Sequence, residues 1–461
     1  LAFKILQQTP LFDIFSEVGR RVFLPEGIFY WSGRAKKEAQ YDATLGVAYA
    51  YEKDFIQGGD AEWVPCYLEY INDYFKNLKI NELVPYASIP GIQDLRTLWK
   101  EWIVFKSLIA KQHELDFLRR FITTPVITNG VTNAIYLSSL LFLDPGEHLI
   151  TPNKRWGNYD NIMRLIGAKI SSFEFFDNDQ MNFNALKETI HKVSVQQKKI
   201  VLMLNFPNNP TGYVPSKDTV EELKTLLLEE QSKLKIPFVI LVDDAYEPYV
   251  FENNVIHRSI FYDLQALNEN VIPVKLDGIT KELLLYGGRI GFITIGLKPS
   301  WLMKGDDLEI LKSEIDNKLS GLVRSTISNC NHFYQAISIK MLQEKGFENL
   351  IKARSNVINL LKQRFECVNS ELKKLKNPLF TIDPNSGGFF TFLNLDSRKL
   401  KASEFADHLL REYKVGVIPI EKPEENINGI RLAYCSLDIQ SIPEVVKKID
   451  NALKNFHTNS L

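Results

Sequence analysis

Lys281 stands at the end of Leu276-Asp277-Gly278-Ile279-Thr280-Lys281 and is followed by Gly288-Arg289-Ile290-Gly291. The lysine leaves an apolar strand, Val271 to Leu276, and the arginine two turns downstream has a glycine on either side of its dipeptide. Desolvation readily lowers an amine's pKa and frees a nucleophile, whereas arginine stays cationic and grips phosphate. The pair suits an amine that bonds a phosphorylated aldehyde. Taken alone, the same spacing also describes an ordinary surface lysine, so the case rests on other segments.

Three upstream segments bear on it. Asn205-Phe206-Pro207-Asn208-Asn209-Pro210-Thr211-Gly212 follows the apolar strand Ile200 to Leu204. It is a turn at a strand's C-terminal end, where open α/β sheets bind ligands. Val239-Ile240-Leu241-Val242-Asp243-Asp244-Ala245-Tyr246 reads as a second buried strand that ends in carboxylates and a phenol. A carboxylate there can keep a pyridine nitrogen protonated, which makes the ring an electron sink. Asp243 is the candidate and Asp244 the alternate. Thr128-Asn129-Gly130-Val131-Thr132-Asn133 lies between a strand and a helix, where backbone amides and the helix dipole favour an anion. The plainer reading of that loop is a strand-to-helix turn capped by Thr132 or Asn133. An amine, an anion cradle and an acidic partner for a ring nitrogen are together what a pyridoxal phosphate site requires.

In order and spacing, these motifs resemble the fold-type I aminotransferases, specifically the class I/II family that includes aspartate and aromatic amino acid aminotransferases. The resemblance runs from about Asp42 to Ser436. It implies Lys281 as Schiff-base and proton-shuttle residue, Asp243 on the pyridine nitrogen, and Gly130, Val131, Thr132 and Arg289 on the phosphate. Many relatives carry a serine three residues before the lysine as a phosphate ligand. Here that position is Gly278, and Thr280 is expected to supply the hydroxyl. Trp156, in Arg155-Trp156-Gly157-Asn158-Tyr159, matches the aromatic residue that stacks on the cofactor ring; a core tryptophan is the alternative. Asn209 and Tyr246 would hydrogen-bond the ring's phenolic oxygen and lower the pKa of the Schiff base. Asn208 reads as a turn residue.

Arg431, in Asn428-Gly429-Ile430-Arg431-Leu432-Ala433, sits where the family places the arginine for the substrate's α-carboxylate, a planar fork that only arginine offers. Two further residues resemble groups that reach into a neighbouring subunit. Tyr86 matches a tyrosine on the partner's cofactor phosphate, and Arg324 matches an arginine for the distal carboxylate of acidic substrates. Together they imply a two-fold homodimer with shared sites. Cys330 follows Asn329 where relatives usually show proline, so Arg324 reads equally as a helix-surface arginine.

The implied reaction is transamination from aspartate or an aromatic amino acid to a 2-oxo acid such as 2-oxoglutarate. A carbon-sulfur lyase or a cyclopropane-carboxylate synthase is the nearest rival, because the same constellation serves elimination. A non-catalytic sensor domain is more remote, since no basic recognition helix precedes the match.

The elements that must position these groups follow from patterning. Between about Val126 and Ile295, short apolar strands alternate with amphipathic segments, the signature of a mostly parallel sheet covered by helices. Expected strands are Val126 to Thr128, His148 to Thr151, Lys169 to Phe173, Ile200 to Leu204, Phe238 to Val242, Val271 to Leu276 and Arg289 to Ile295. Expected helices include Asn133 to Leu143, Tyr159 to Ile166 and Thr219 to Lys233, and Lys304 to Asp316 reads as a solvated helix or loop. Past Asn331, long helices (Ala336 to Lys345, Glu348 to Lys376) precede strands Phe390 to Asn394 and Ile430 to Ala433. The expected fold is α/β, with a large domain built on a predominantly seven-stranded sheet sandwiched by helices and a smaller α/β domain. Residues 1–60 form an N-terminal segment contributing to the small domain, 61–330 the large cofactor-binding domain and 331–461 the small one; the first forty or so are assigned no chemistry.

Composition narrows the partners. Fifty-five Lys and Arg against 56 Asp and Glu leave a net charge of −1, so no basic field points to nucleic acid. No apolar run reaches the length of a membrane span and no signal peptide is evident at Leu1 to Lys4. Cys66, Cys330, Cys367 and Cys435 form no metal spacing and no disulfide framework, which suggests a reducing, cytoplasmic setting. None of the seven histidines falls in a metal-binding spacing either, so no metal is expected.

Overall fold

The central strands Ile200–Asn205 and Phe238–Asp243 are buried on both faces because their odd and even residues are both apolar, and each set feeds a different core. Ile200, Leu202 and Leu204 pack into one apolar cluster, while Val201 and Met203 pack into a second on the opposite side. Phe238, Ile240 and Val242 are likewise separated from Val239 and Leu241. A period-two side-chain pattern that is apolar at every position demands cover on both sides, and helices supply it.

The computed structural model describes residues 5–24, 27–76, 78–304, 307–344 and 346–458. In chain order the large sheet contains β1 (Val126–Thr128), β2 (His148–Pro152), β3 (Lys169–Phe173), β4 (Ile200–Asn205), β5 (Phe238–Asp243), β6 (Val271–Gly278) and β7 (Gly291–Ile295), arranged β1-β7-β6-β5-β4-β2-β3. All neighbours are parallel except β7, which runs antiparallel to both β6 and β1. This is the expected α/β architecture.

One consequence of the reversed strand matters for chemistry. The C-terminal ends of β1, β4, β5 and β6 share one edge of the sheet, and an antiparallel strand begins at the edge where its neighbours finish. Gly291 accordingly lies opposite Gly278 on one side and Thr128 on the other, which brings Arg289 to the same edge as Lys281.

A second sheet, β8 (Phe380–Ile382), β9 (Phe390–Leu395), β10 (Ile418–Lys422) and β11 (Ile427–Ala433), is antiparallel in the order β8-β9-β11-β10. The N-terminal segment ties into this region, since Tyr41–Asp42 pairs in parallel with Val415–Gly416.

Several element boundaries differ from the sequence reading. The helix after β1 begins at Gly130 rather than Asn133, because Gly130 adopts φ +78° and lets the chain turn into the helix at once. Arg289 is outside β7, with φ +51°, so the strand starts two residues late. Asp307–Thr326 is a helix with Leu308, Leu319 and Val323 buried, not a fully solvated segment. The long helices span His332–Glu344 and Gly346–Lys374; Lys345 lies outside the described residues, as do residues 1–4 and 305–306. Among the described residues, no helix is long and apolar enough to cross a membrane.

Candidate active site

At the C-terminal edge of the large sheet a cleft of about 300 Å³ is lined by Val131, Thr132, Trp156, Asn209, Asp243, Tyr246, Gly278, Thr280, Lys281, Arg289 and Arg431, with Asn205, Phe390, Gly46, Val47 and Ile28 completing the wall. The structure thus gathers eleven residues singled out from sequence, drawn from well-separated stretches of chain between Val131 and Arg431.

Lys281 lies in the single turn Ile279–Glu282 that follows β6. Its Nζ donates to the Gly46 carbonyl and faces the rings of Tyr286, Phe389 and Tyr246 at 4.9, 5.6 and 5.8 Å. Burial in this aromatic surround pushes the amine down to about 8, with Arg289 and Arg431 adding like charge and Cys435 opposing. The Tyr249 hydroxyl donates to the Lys281 carbonyl at 2.6 Å and fixes the turn.

Asp243 ends β5 and is only 4% exposed. Burial raises its carboxyl to about 6, while hydrogen bonds from the Tyr159 hydroxyl to Oδ2 and the Ala245 amide to Oδ1 draw it back. Asp244, the alternate, is excluded by strand alternation. Its Oδ2 turns away from the cleft and accepts from Lys275 and from the Ser259 hydroxyl.

The anion cradle is crowded in a telling way. A Cβ placed on Gly130 would come within 2.4 Å of Arg289 Nη2, so the guanidinium lies directly on the glycine that starts the helix. The first amides of a helix have no intrahelical partner, and here they share a corner with Arg289 and Thr280, whose Arg289 Nη1 to Oγ1 distance is 3.5 Å. The structure also explains why no serine stands at 278. A Cβ there would sit 2.6 Å from the Ile290 carbonyl and 3.1 Å from Val131 Cγ2.

Arg431, on β11, is 3% exposed and packs over the Phe390 ring at 4.1 Å. Nη1 donates to Asn209 Oδ1 at 3.2 Å and Nη2 to the Thr44 carbonyl at 2.9 Å, whereas Nε is buried without a partner among the described residues. Burial disfavours its charge. A buried guanidinium with a donor to spare and no carboxylate on it is a receptor for one. Tyr246 is buried as well, which raises its phenol, with Arg431 pulling the other way.

These groups fit pyridoxal phosphate. The cradle offers amides and a guanidinium to a dianion, Asp243 offers a buried carboxylate to a ring nitrogen, and Lys281 offers an amine depressed toward neutrality. Tyr86 and Arg324 do not join the cleft of their own chain. Tyr86 is 90% exposed, and Arg324 is exposed on its helix with Nη1 donating to Ser328 Oγ at 2.5 Å.

Sequence reasoning missed several contributors. Tyr159 reaches Asp243, and its signal was its place in Trp156-Gly157-Asn158-Tyr159. Asn205 holds the Asp243 carbonyl through Nδ2 at 2.8 Å and receives the Asn209 amide on Oδ1 at 2.8 Å; an amide side chain closing an apolar strand could have revealed it. Phe390 and the Gly46 carbonyl carry no local signal. Ile28, from the N-terminal segment to which no chemistry is assigned, lines the cleft from the helix Ile28–Glu38.

A cleft of this make-up on a sheet of this topology defines an enzyme of amino-group chemistry. The model of the family described as aminotransferase class I and II matches residues 66–449. The chain belongs to that family and is a pyridoxal-phosphate-dependent aminotransferase, acting between amino acids and 2-oxo acids. An aspartate aminotransferase of Pyrococcus abyssi is 23% identical over 387 residues, 84% of this chain and 88% of that protein. Aromatic-amino-acid aminotransferase 2 of Thermococcus litoralis is 24% identical over 387 residues, again 84% and 88%. An aminotransferase structure from Anaerococcus prevotii superposes with a TM-score of 0.78 at 24% identity, over 95% of this chain and 98% of that one.

Proposed function

We propose that this aminotransferase moves an amino group from aspartate or an aromatic amino acid to a 2-oxo acid such as 2-oxoglutarate, with Lys281 holding the cofactor and carrying the substrate's Cα proton. The observation that carries the reading is the placement of Lys281 Nζ in one cleft with Asp243, Tyr246, Asn209, Arg289 and Arg431. Relatives named for aspartate and for aromatic amino acids support the donor classes.

Bound pyridoxal phosphate supplies an electrophilic aldehyde carbon and a protonated pyridine that accommodates the electron pair released at Cα. The amides of Gly130, Val131 and Thr132, with Arg289 and the Thr280 hydroxyl, hold the phosphate. Asp243 keeps the proton on the ring nitrogen, and Tyr159 and Asn205 keep Asp243 in place. Asn209 and Tyr246 hold the phenolic oxygen, and Trp156 offers an aromatic face to the ring. Arg431 grips the α-carboxylate, which orients the Cα–H bond toward Lys281 Nζ. An amine with a pKa of about 8 is part neutral at physiological pH, so it can accept a proton and return it.

Tyr86 and Arg324 act across a two-fold homodimer in this reading, Tyr86 on the partner's phosphate and Arg324 on a distal carboxylate. Their exposure supports a role outside their own cleft. Four free cysteines support a reducing, cytoplasmic setting.

Titration with candidate amino acids, followed by visible absorption, tests the proposal. True donors convert the aldehyde form of the cofactor to the amine form, and a 2-oxo acid reverses the change. Lys281→Ala is expected to abolish turnover and to leave nothing for borohydride to trap. Pyruvate and ammonia released from a cysteine conjugate without an acceptor would favour the lyase instead.

A further inference from the structure

Four carboxylates adjoin the cleft residues in the chain and point the other way. Asp244 follows Asp243, Glu247 follows Tyr246, Asp277 precedes Gly278, and Glu282 follows Lys281. Strand alternation turns Asp277 away from Gly278, and the turns that follow β5 and β6 bring Asp244, Glu247 and Glu282 to the same compartment behind the cleft, with Lys106, Lys275 and Arg354. None of these seven side chains is more than 7% exposed.

The contacts run from one carboxylate to the next. Lys275 Nζ donates to Asp244 Oδ2 and, at 2.8 Å, to Glu247 Oε2. Lys106 Nζ donates to the same Glu247 oxygen at 2.7 Å and to Glu282 Oε2 at 2.9 Å. Both ammonium groups lie 3.9 Å from Asp277 Oδ2, which has no hydrogen-bond partner among the described residues. The Trp99 indole donates to Asp277 Oδ1 at 3.0 Å and the Trp102 indole to Glu282 Oε1 at 2.8 Å. Arg354 Nη1 donates to the Glu282 carbonyl at 3.2 Å, Ser259 Oγ donates to Asp244 Oδ2 at 2.6 Å, and the Tyr262 ring faces Lys275 at 5.6 Å.

Glu247, Asp277 and Glu282 bring oxygens close enough to hold a metal ion, but the Lys106 ammonium already occupies that position. Nor is the cluster a good stabilising device. Buried ion pairs do no better than well-packed apolar side chains of the same volume, and here four carboxylates face three cations. Burial and Glu247 push the Asp244 carboxyl up against the pull of Lys275, and burial pushes Asp277 up against Lys275 and Lys106. What the arrangement does provide is a rigid tie between the ends of β5 and β6, one residue away from each group that the cleft needs.

We propose that Lys106 and Lys275 form a positioning cluster that fixes Asp243, Tyr246 and Lys281 through the adjoining carboxylates Asp244, Glu247 and Glu282. The cluster touches neither substrate nor cofactor. The proposal rests on the assignment of Lys281 as the cofactor-holding amine.

The test compares wild type, Lys275→Met and Glu282→Gln, each checked for folding by circular dichroism and thermal unfolding. Glu282→Gln keeps shape and an acceptor for Trp102 while it removes one charge, so it serves where Lys275→Met does not fold. Competitive acetylation of Lys281 across pH in the cofactor-free protein reads the amine directly, and steady-state kinetics read the loaded enzyme. A displacement of about 1 Å at the reacting groups lowers turnover by up to about 100-fold. The expected result is therefore a kcat loss of about 10- to 100-fold with KM moved less than about threefold. With it comes a shift of about half a pH unit or more in the Lys281 midpoint. A folded variant with kcat within about twofold of wild type and the Lys281 midpoint within about 0.3 pH unit, and only its melting temperature lowered, overturns the cluster's role. If instead Lys281→Ala still yields a borohydride-trapped adduct, it is the assignment of Lys281 that fails.

Discussion

The depressed amine of Lys281 can be measured in the cofactor-free protein, where the structure makes a numerical demand. Solvent-exposed lysine titrates near 10.5, and burial among Tyr246, Tyr286 and Phe389 brings Lys281 to about 8. Below pH 8 that shift multiplies the neutral fraction by roughly 300, and at pH 7.5 it leaves roughly a quarter of the amine unprotonated. The same shift corresponds to at most about 3 kcal/mol of bias against the charged form, reduced by the partial exposure of the side chain. The sign of the linkage follows. The unfolded chain keeps the proton up to about 10.5 and the folded chain releases it near 8, so the folding penalty is full below 8 and vanishes as pH rises through that window. Acetylation rates of Lys281 followed by peptide mass analysis from pH 6 to 11 supply the assay. Phe390→Ala, which opens the wall to water, is expected to raise the midpoint. A wild-type midpoint near 10.5 would refute the desolvation argument.

Three further outcomes follow from the geometry. Arg431→Met removes a charge-assisted bidentate grip worth about 1.5–3 kcal/mol, so kcat/KM is expected to fall by about 10- to 100-fold for every amino donor alike. Tyr159→Phe withdraws the hydroxyl that holds the Asp243 carboxylate down; the acid limb of the kcat profile is expected to move to higher pH, and an unchanged limb would count against Asp243 as the ring-nitrogen partner. Gly278→Ser, which restores the residue common among relatives, forces a Cβ to 2.6 Å from the Ile290 carbonyl. It is expected to cost about 1–3 kcal/mol of stability and to weaken cofactor binding rather than improve it, as a melting curve and an apo-protein titration would register.

The sequence by itself determined most of the strands, because short apolar runs rich in β-branched residues and bounded by turn signals are too brief for helices and fit strands covered on both faces. It also singled out Lys281, Arg289, Arg431 and Asp243, which the fold brings to one cleft. Choosing between Asp243 and Asp244 was different: adjacent carboxylates are equivalent in a string of letters, and only strand alternation sends one into the cleft and the other to Lys275. The cost of a side chain at Gly278, the aromatic wall around Lys281, and the meeting of Lys106 with Glu247 and Glu282 all depend on tertiary contacts, the last between segments more than a hundred residues apart. Such contacts leave no periodic trace, since each is set by how sheet and helices pack. Lys275 shows the boundary. Within an apolar strand a lone charge reads as a surface residue, and it took the packed fold to bury it at 0% exposure among the carboxylates that adjoin the site.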